Sequence, residues 1–369
     1  MSLIIFLLLS SEASFLAKTI HNTMQEINGC ESKVKITLVR EWGGEETADK
    51  AKFFNEPTDI EIDRDGLVYI VDSGNHRIQV FDKSGKYINT IGRKGQGPAD
   101  FLYPFDLEFD NKNNMIISDR YNSRIQILKT TGDFLKTFKI NYFPYHIGVM
   151  RGGIIMYNGS RSLKSSSLIL LYNYEGRIIR EIGKRKEEKS LLLTLMKSSI
   201  YFSLDTYENI YTSYLYSPLL QKYSNTGELV MNISFEMPFT VPELKYMQTK
   251  SYIGLQAEQI SKGLSIDNQG RIYLIVITRP RTKEEYKIGT KMIIEDRNRS
   301  INIIPGPKAY VDSETTDLYR LLVFNNSGKI ITTKQLNTYC DNIKVYNDRL
   351  FIIDRYVGMK IYEYKINFE

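Results

Sequence analysis

The sequence predicts an all-β fold: a six-bladed β-propeller of four-stranded antiparallel blades, closed by the N-terminal strand completing the last blade. Three observations predict it. A segment recurs at a constant offset of 47 residues. Each complete copy holds four short alternating strands between Gly, Asn and Asp turns. The last copy is one strand short, while an unpaired strand precedes the first. Composition agrees. The 26 Tyr and 17 Phe favour strands, and 25% charged residues are ordinary for a folded chain.

The offset is read directly from the residues. Asp59 aligns with Asp106, Asp72 with Asp119, Arg77 with Arg124 and Gly85 with Gly132, without a gap. Asp205 and Gly227 lie 142 residues beyond Asp63 and Gly85, about three periods on. Weaker copies run through 145–183, 262–336 and 342–366, which makes six units. Within a unit, strands of period two alternate with turns, as in 59–63, 68–71, 77–81 and 87–91. One such sheet is too small to fold alone, so neighbours bury its faces. The final unit has three strands, and 34–42 (VKITLVREW) supplies the fourth. That closure removes an aggregation-prone edge.

Residues 1–30 read as a leader, and 34–369 as a single propeller domain. Its insertions are 183–199, 236–262 and 278–317. The run 3–9 (LIIFLLL) is too short to span a bilayer and suits the core of a secretory signal, with Ser11 and Ala13 placed as at a cleavage site. The expected location is therefore the cell envelope, periplasmic or outer-membrane associated. Cys30 follows Ile27, Asn28 and Gly29, an echo of a lipoprotein box and a candidate lipid anchor. Residues 242–261 read as a helix, with Pro242 in its first turn.

The segment GRKGQGPADFLYP (92–104), the DLEFD after it, SDRYNSRIQIL (118–128) and GNHRIQVF (74–81) resemble the NHL-type repeat. The resemblance covers about 55–139 and fades through the later blades. The whole chain is similar to the bacterial "6-bladed β-propeller" family of cell-envelope proteins. That likeness implies the fold and the compartment rather than a chemistry.

Strand order puts the long segments on one face, here the loop face, and the short turns on the other, the turn face. Long loops on a rigid scaffold often carry function. The innermost strands line the channel, with Asp59, Asp106, His146, Tyr201, Gly263 and Asn342 in the first ring. Two residues on lie Glu61, Glu108, Gly148, Ser203, Ser265 and Lys344. Adjacent carboxylates need a cation, a proton or Lys344 to persist. Two readings follow: a structural Lys344–Glu61 pair, or a polar-ligand site using Asp59, Asp106 and His146. The turns between second and third strands add His76, Arg120, Tyr121, Arg355 and Tyr356, the Arg–Tyr pairs from DRY in two units. Asp72, Asp119 and Asn122 read as organisers of those turns.

The expected function is a non-enzymatic envelope scaffold that binds a protein, peptide or glycan on the loop face, without a cofactor. The alternative is a calcium-dependent, lactonase-like hydrolase or lyase with Asp59, Asp106 and Asn342 as metal ligands. Three His and two Cys leave little for a zinc site, and no basic stripe points to nucleic acid.

Overall fold

The structure is a computed structural model. It describes residues 17–30, 34–43, 53–150, 155–158, 166–189, 191–248, 253–256, 258–282, 285, 290–295, 300–305 and 315–368. The apolar run 3–9, with Ser11 and Ala13, lies outside the described residues.

The described strands build a propeller of four-stranded antiparallel sheets. The first sheet holds Pro57–Ile62, Val68–Asp72, Arg77–Phe81 and Tyr87–Ile91, from the axis outward. The second holds Pro104–Phe109, Asn114–Asp119, Arg124–Lys129 and Phe134–Lys139. The third holds Ile147–Val149, Ile155–Asn158, Ser167–Tyr172 and Ile178–Lys184. In the fourth, Ile200–Leu204, Ile210–Tyr214, Leu219–Tyr223 and Leu229–Phe235 are joined by Lys18–Asn22 at the outer edge. The fifth consists of Ser261–Ile266, Ile272–Ile277, Tyr319–Phe324 and Ile330–Leu336. The sixth consists of Asn342–Tyr346, Arg349–Asp354, Lys360–Phe368 and Val34–Gly43.

Inner strands of successive sheets pack side by side, and Asn342–Tyr346 returns to Pro57–Ile62. Two glycines allow the closest approaches. A Cβ on Gly263 would lie 2.9 Å from Ile343 N, and one on Gly148 would lie 2.9 Å from the Phe202 ring. Apolar clusters fill the seams between sheets. One joins Ile60, Phe81 and Trp42 to Phe351 and Ile353; another joins Tyr69 and Val71 to Leu107 and Ile117.

One turn recurs after the inner strands. Asp63 Oδ1 accepts from the amides of Asp65 and Leu67, and its Oδ2 accepts from the Tyr69 hydroxyl. Asp205 with Tyr211, and Asp267 with Tyr273, repeat this arrangement. The side-chain oxygen replaces turn carbonyls, which is why Asp serves there. A second recurrence is a register shift between the third and outer strands, at the start of the outer strand at Phe81, Phe134, Tyr172, Tyr223 and Phe324, and in mid-strand at Leu38 in the last sheet.

The expected closure is present. Val34 pairs with Phe368 and Gly43 with Lys360, antiparallel, at the outside of the last sheet. Other expectations are corrected. Residues 17–30, expected as part of the leader, are built into the fold: Lys18–Asn22 extends the fourth sheet, and Met24–Gly29 forms a short helix, α1. Thr23 and Glu26 form a reciprocal capping box that starts α1, and buried Ile27 seats it. Cleavage before Cys30, as a lipid anchor requires, would remove both built-in elements.

Residues 242–261 are not a helix either. Lys245–Gln248 and Ile253–Gln256 are paired strands. With Thr290–Glu295 and Ser300–Pro305 from the insertion 278–317 they make a separate four-stranded sheet. Gly254 disfavours helix, and the partner strands come from some forty residues downstream, where no local pattern shows them. The insertion 183–199 contains a second helix, α2, Leu191–Lys197. Cys30 and Cys340 are both unbridged. Cys30 lies against Ile330 O on the turn face, and Cys340 is buried near Tyr319 and Tyr339.

Candidate functional site

The channel contains the two expected tiers. Lys344 Nζ bonds Glu61 Oε1 and lies 3.2 Å from Glu108 Oε1. One ammonium thus bridges carboxylates from the first and second sheets. Burial, then the charge of Asp59, holds the Glu108 carboxyl well above the usual range.

In the tier nearer the loop face, Asp59 and Asp106 stitch adjacent sheets. Asp59 Oδ2 accepts from Leu107 N at 3.0 Å, and Asp106 Oδ2 accepts from Ile147 N at 2.6 Å. Burial, then the charge of Asp106, raises the Asp59 carboxyl well above the usual range. Burial pushes Asp106 up to about 8. His146 Nδ1 lies 3.7 Å from Asp106 Oδ2, and its ring is 5.1 Å from that of Tyr201. Asn342 donates to Thr58 O at 3.4 Å across the next seam. The three calcium-ligand candidates thus all make seam contacts. Among the described residues no three His, Cys, Asp or Glu side chains are grouped to hold a metal ion.

The raised Asp106 pKa has a measurable consequence. A carboxyl with a raised folded pKa binds a proton that the unfolded chain releases near pH 4, so its stabilisation is complete below that pH and is lost up to about pH 8. Each such proton changes stability by about 1.4 kcal/mol per pH unit. The melting temperature of the wild type is expected to fall from pH 5 to pH 8. In Asp106→Asn, whose amide imitates the protonated acid, the fall should be shallower and the variant more stable at pH 8. Parallel melting curves for the two proteins would refute the raised Asp106 pKa.

Above these tiers lies an Arg–Tyr mouth. Arg120 is 6% exposed, and its guanidinium lies over Tyr145 at 4.1 Å and Tyr121 at 5.0 Å. It also approaches Phe105 at 5.5 Å and Tyr103 at 5.7 Å. Arg355 approaches the same two rings at 5.3 and 5.8 Å, and lies 4.6 Å from the ring of Tyr356. Arg355 Nη2 donates to the Tyr103 hydroxyl, which donates to Glu56. Arg120 Nη2 donates to the Tyr145 hydroxyl. Among the described residues neither Arg120 Nε nor Arg355 Nε has a partner, although both are buried. Tyr121 stacks on Tyr103 at 4.9 Å and remains 39% exposed. Across the mouth, Asp341 accepts from Arg355 N at 3.1 Å and lies 3.5 Å from Lys262 Nζ. Burial pulls the Lys262 ammonium below its usual range.

The turns explain why these side chains converge. Asp119 accepts from Leu102 N, Asn122, Arg124 and Gln126, and so holds the loop bearing Arg120 and Tyr121. Asp72 does the same with Asn55 N, Asn75 and Arg77. In the last sheet, Asp354 accepts from the amides of Val357 and Gly358 beneath Arg355 and Tyr356. The organiser reading of Asp72, Asp119 and Asn122 matches this geometry.

The expected residues therefore fall into groups. Asp59, Asp106 and His146 form one tier; Glu61, Glu108 and Lys344 form the next. Arg120, Tyr121, Arg355 and Tyr356 meet at the mouth. His76 is apart: its Nδ1 accepts from Tyr103 N at 2.9 Å, a bond that fixes the loop before the second sheet. Burial holds its pKa below the ordinary value. Sequence reasoning missed Glu56, Tyr103, Phe105 and Tyr145. Glu56 and Tyr103 have φ of 51° and 60°, unusual for such side chains, and each precedes the proline of an inner strand. Their 47-residue separation was the available signal.

Two solved Bacteroides structures share the fold. A Bacteroides fragilis protein described as a candidate for export aligns with TM-score 0.56 and 12% identity, covering 96% of this chain and 100% of that one. A DUF4221 family member from Bacteroides vulgatus aligns with TM-score 0.56 and 8% identity, covering 91% and 99%. The virginiamycin B lyase of Staphylococcus aureus aligns with TM-score 0.49 and 11% identity, covering 90% and 99%. No curated protein matches the chain. Residues 46–261, more than half of the sequence, match the family described as a domain of unknown function (DUF4934), and the chain belongs to that family.

Proposed function

We propose that this protein is an exported, six-bladed binding propeller that holds a ligand over the channel mouth and performs no chemistry of its own. The ligand is a protein, peptide or glycan that presents a carboxylate or similar planar anion. One observation carries the reading: the buried guanidinium of Arg120 and the half-buried one of Arg355, which also pairs with Glu56 at 3.4 Å, flank Tyr103 and Phe105, each with an Nε that lacks a partner among the described residues. A planar anion is the natural complement of an Arg fork, and Tyr and Arg anchor interfaces more often than other residues. The inner strands Pro57–Ile62 through Asn342–Tyr346 support the blade count. The 47-residue repeat supports kinship with NHL-type propellers. The apolar run 3–9 and the Bacteroides fragilis neighbour support export to the envelope.

The test is a binding screen of immobilised peptides and acidic glycans. A ligand retained by the wild type should lose at least tenfold in affinity with Arg120→Ala, and again with Arg355→Ala. A charged hydrogen bond contributes about 1.5–3 kcal/mol, which corresponds to that loss. Arg120→Lys, which keeps the charge without the fork, should recover only part of it. Binding unaffected by all three variants would exclude the mouth as the site.

A further inference from the structure

Each outer strand carries an apolar pair beside its register shift, at the start of the strand in five sheets and in mid-strand in the last. The pairs are Leu38–Val39, Tyr87–Ile88, Phe134–Leu135, Ile178–Ile179, Leu229–Val230 and Ile330–Ile331. They lie near the turn face at the perimeter. Most are exposed: Ile178 is 50% exposed and Ile179 is 49%. Ile330 is only 8% exposed, because the chain's own N-terminal segment covers it.

That cover shows what this surface accepts. Lys18–Asn22 adds in parallel to the outer strand of the fourth sheet, from Lys18 beside Met231 to Asn22 beside Phe235. Asn22 then reads the turn of the fifth sheet: its Nδ2 donates to Gly328 O at 3.0 Å and its Oδ1 accepts from Ile330 N at 2.9 Å. Helix α1 follows, with buried Ile27 in the apolar cluster that contains Ile330. Glu26 of α1 pairs with Lys329 at 3.0 Å.

The third sheet repeats the receiving surface. Asn173, Gly176, Arg177, Ile178 and Ile179 match Asn325, Gly328, Lys329, Ile330 and Ile331. Asn173 Oδ1 accepts from the amides of Glu175 and Arg177, as Asn325 Oδ1 does from those of Ser327 and Lys329. Gly176 and Gly328 have φ of 76° and 84°. Each abuts the outer strand of the preceding sheet, Gly176 at Phe138 and Gly328 at Ile233. Beside the third sheet, however, Phe134–Lys139 is the edge of its sheet among the described residues. The Lys136–Glu175 pair crosses this seam at 3.0 Å, but both side chains are well exposed and such pairs yield readily. At the first sheet the same motif is obstructed, because Arg40 lies across the seam against Gly85 and Lys83 O.

We propose that the seam between the second and third sheets docks a segment of a partner protein built like residues 18–29. An extended strand would add to Phe134–Lys139, and a short helix would cover Ile178 and Ile179 with an acidic residue against Arg177. Strand addition supplies directional main-chain hydrogen bonds, and the apolar pair supplies the helix seat. A lipid surface would use neither the sheet edge nor the turn.

The probe is a fluorescein-labelled peptide of residues 17–30, titrated with the full chain and followed by anisotropy. Saturable binding is expected. Ile178→Ser with Ile179→Ser, both exposed and neutral to the fold, should weaken it at least tenfold. Arg177→Glu should weaken it several-fold, and a Glu26→Lys peptide should restore that loss. Absence of saturable binding would overturn the proposal. So would binding that the Ile178/Ile179 variant leaves unchanged, since the peptide would then be exchanging with the N-terminal segment. Sedimentation of the wild type, but not the Ile178/Ile179 variant, with phosphatidylglycerol vesicles would also overturn it in favour of lipid.

Discussion

Truncation after Gly43 is expected to abolish the soluble folded protein, whereas truncation after Cys30 should leave a folded chain of lower stability. The strand Val34–Gly43 pairs with Lys360–Phe368 along its length and buries Val34 and Trp42. Trp42 packs 6.0 Å from Phe351 and 6.5 Å from Phe81, so it joins the last sheet to the first. Losing a buried Trp costs about 3–5 kcal/mol, and losing Val34 adds about 1.5–3. That total approaches the whole stability of an ordinary domain, about 5–15 kcal/mol. Removal also bares the edge of Lys360–Phe368, which invites intermolecular pairing. Thermal melting and size-exclusion profiles of the two truncations decide the matter. If the longer truncation melts like the shorter one, the N-terminal strand does not close the ring.

Lys344→Met should destabilise the protein at pH 8 by about 1–3 kcal/mol, less than the roughly 3–5 kcal/mol for a fully buried ion pair broken from one side, because Glu61 is buried but Lys344 and Glu108 are only half-buried. Lys344 Nζ is the cation between Glu61 and Glu108 in the channel. Without it, two carboxylates face each other in a narrow space. The loss should shrink at pH 5. Glu108 already has its pKa raised by burial and by Asp59, so it takes up a proton as pH falls and the repulsion fades. The sign is thus opposite to that of a salt-bridged acid, which loses stability on acidification. Chemical denaturation at both pH values measures the difference. Adding Glu61→Gln and Glu108→Gln to Lys344→Met should restore much of the stability. An equal loss at pH 5 and pH 8, or no rescue, would show that Lys344 acts through packing alone.

The repeat grammar, the strand-rich composition and the closing strand were all legible in the chain itself. The reason is local: a period of two, Asp and Gly turns, and a constant 47-residue offset are properties of neighbouring residues. The same offset carried register between the first two sheets, so the tier of Glu61 and Glu108 could be placed, and Lys344 beside it by strand alignment. Three things needed the tertiary structure. The segment 242–261 became strands because its partners lie beyond residue 290. Residues 18–29 became part of the domain because the edge at Leu229–Phe235 and the turn at Gly328 accept them, and neither is near in sequence. The mouth joins Tyr103 of one repeat to Arg355, which lies 252 residues away. His76, with the right chemistry for a ligand, was assigned instead to the Tyr103 amide. Periodicity shows which side of a strand a residue occupies, but a polar side chain's partner is set by whichever group the closed ring brings within about 3 Å.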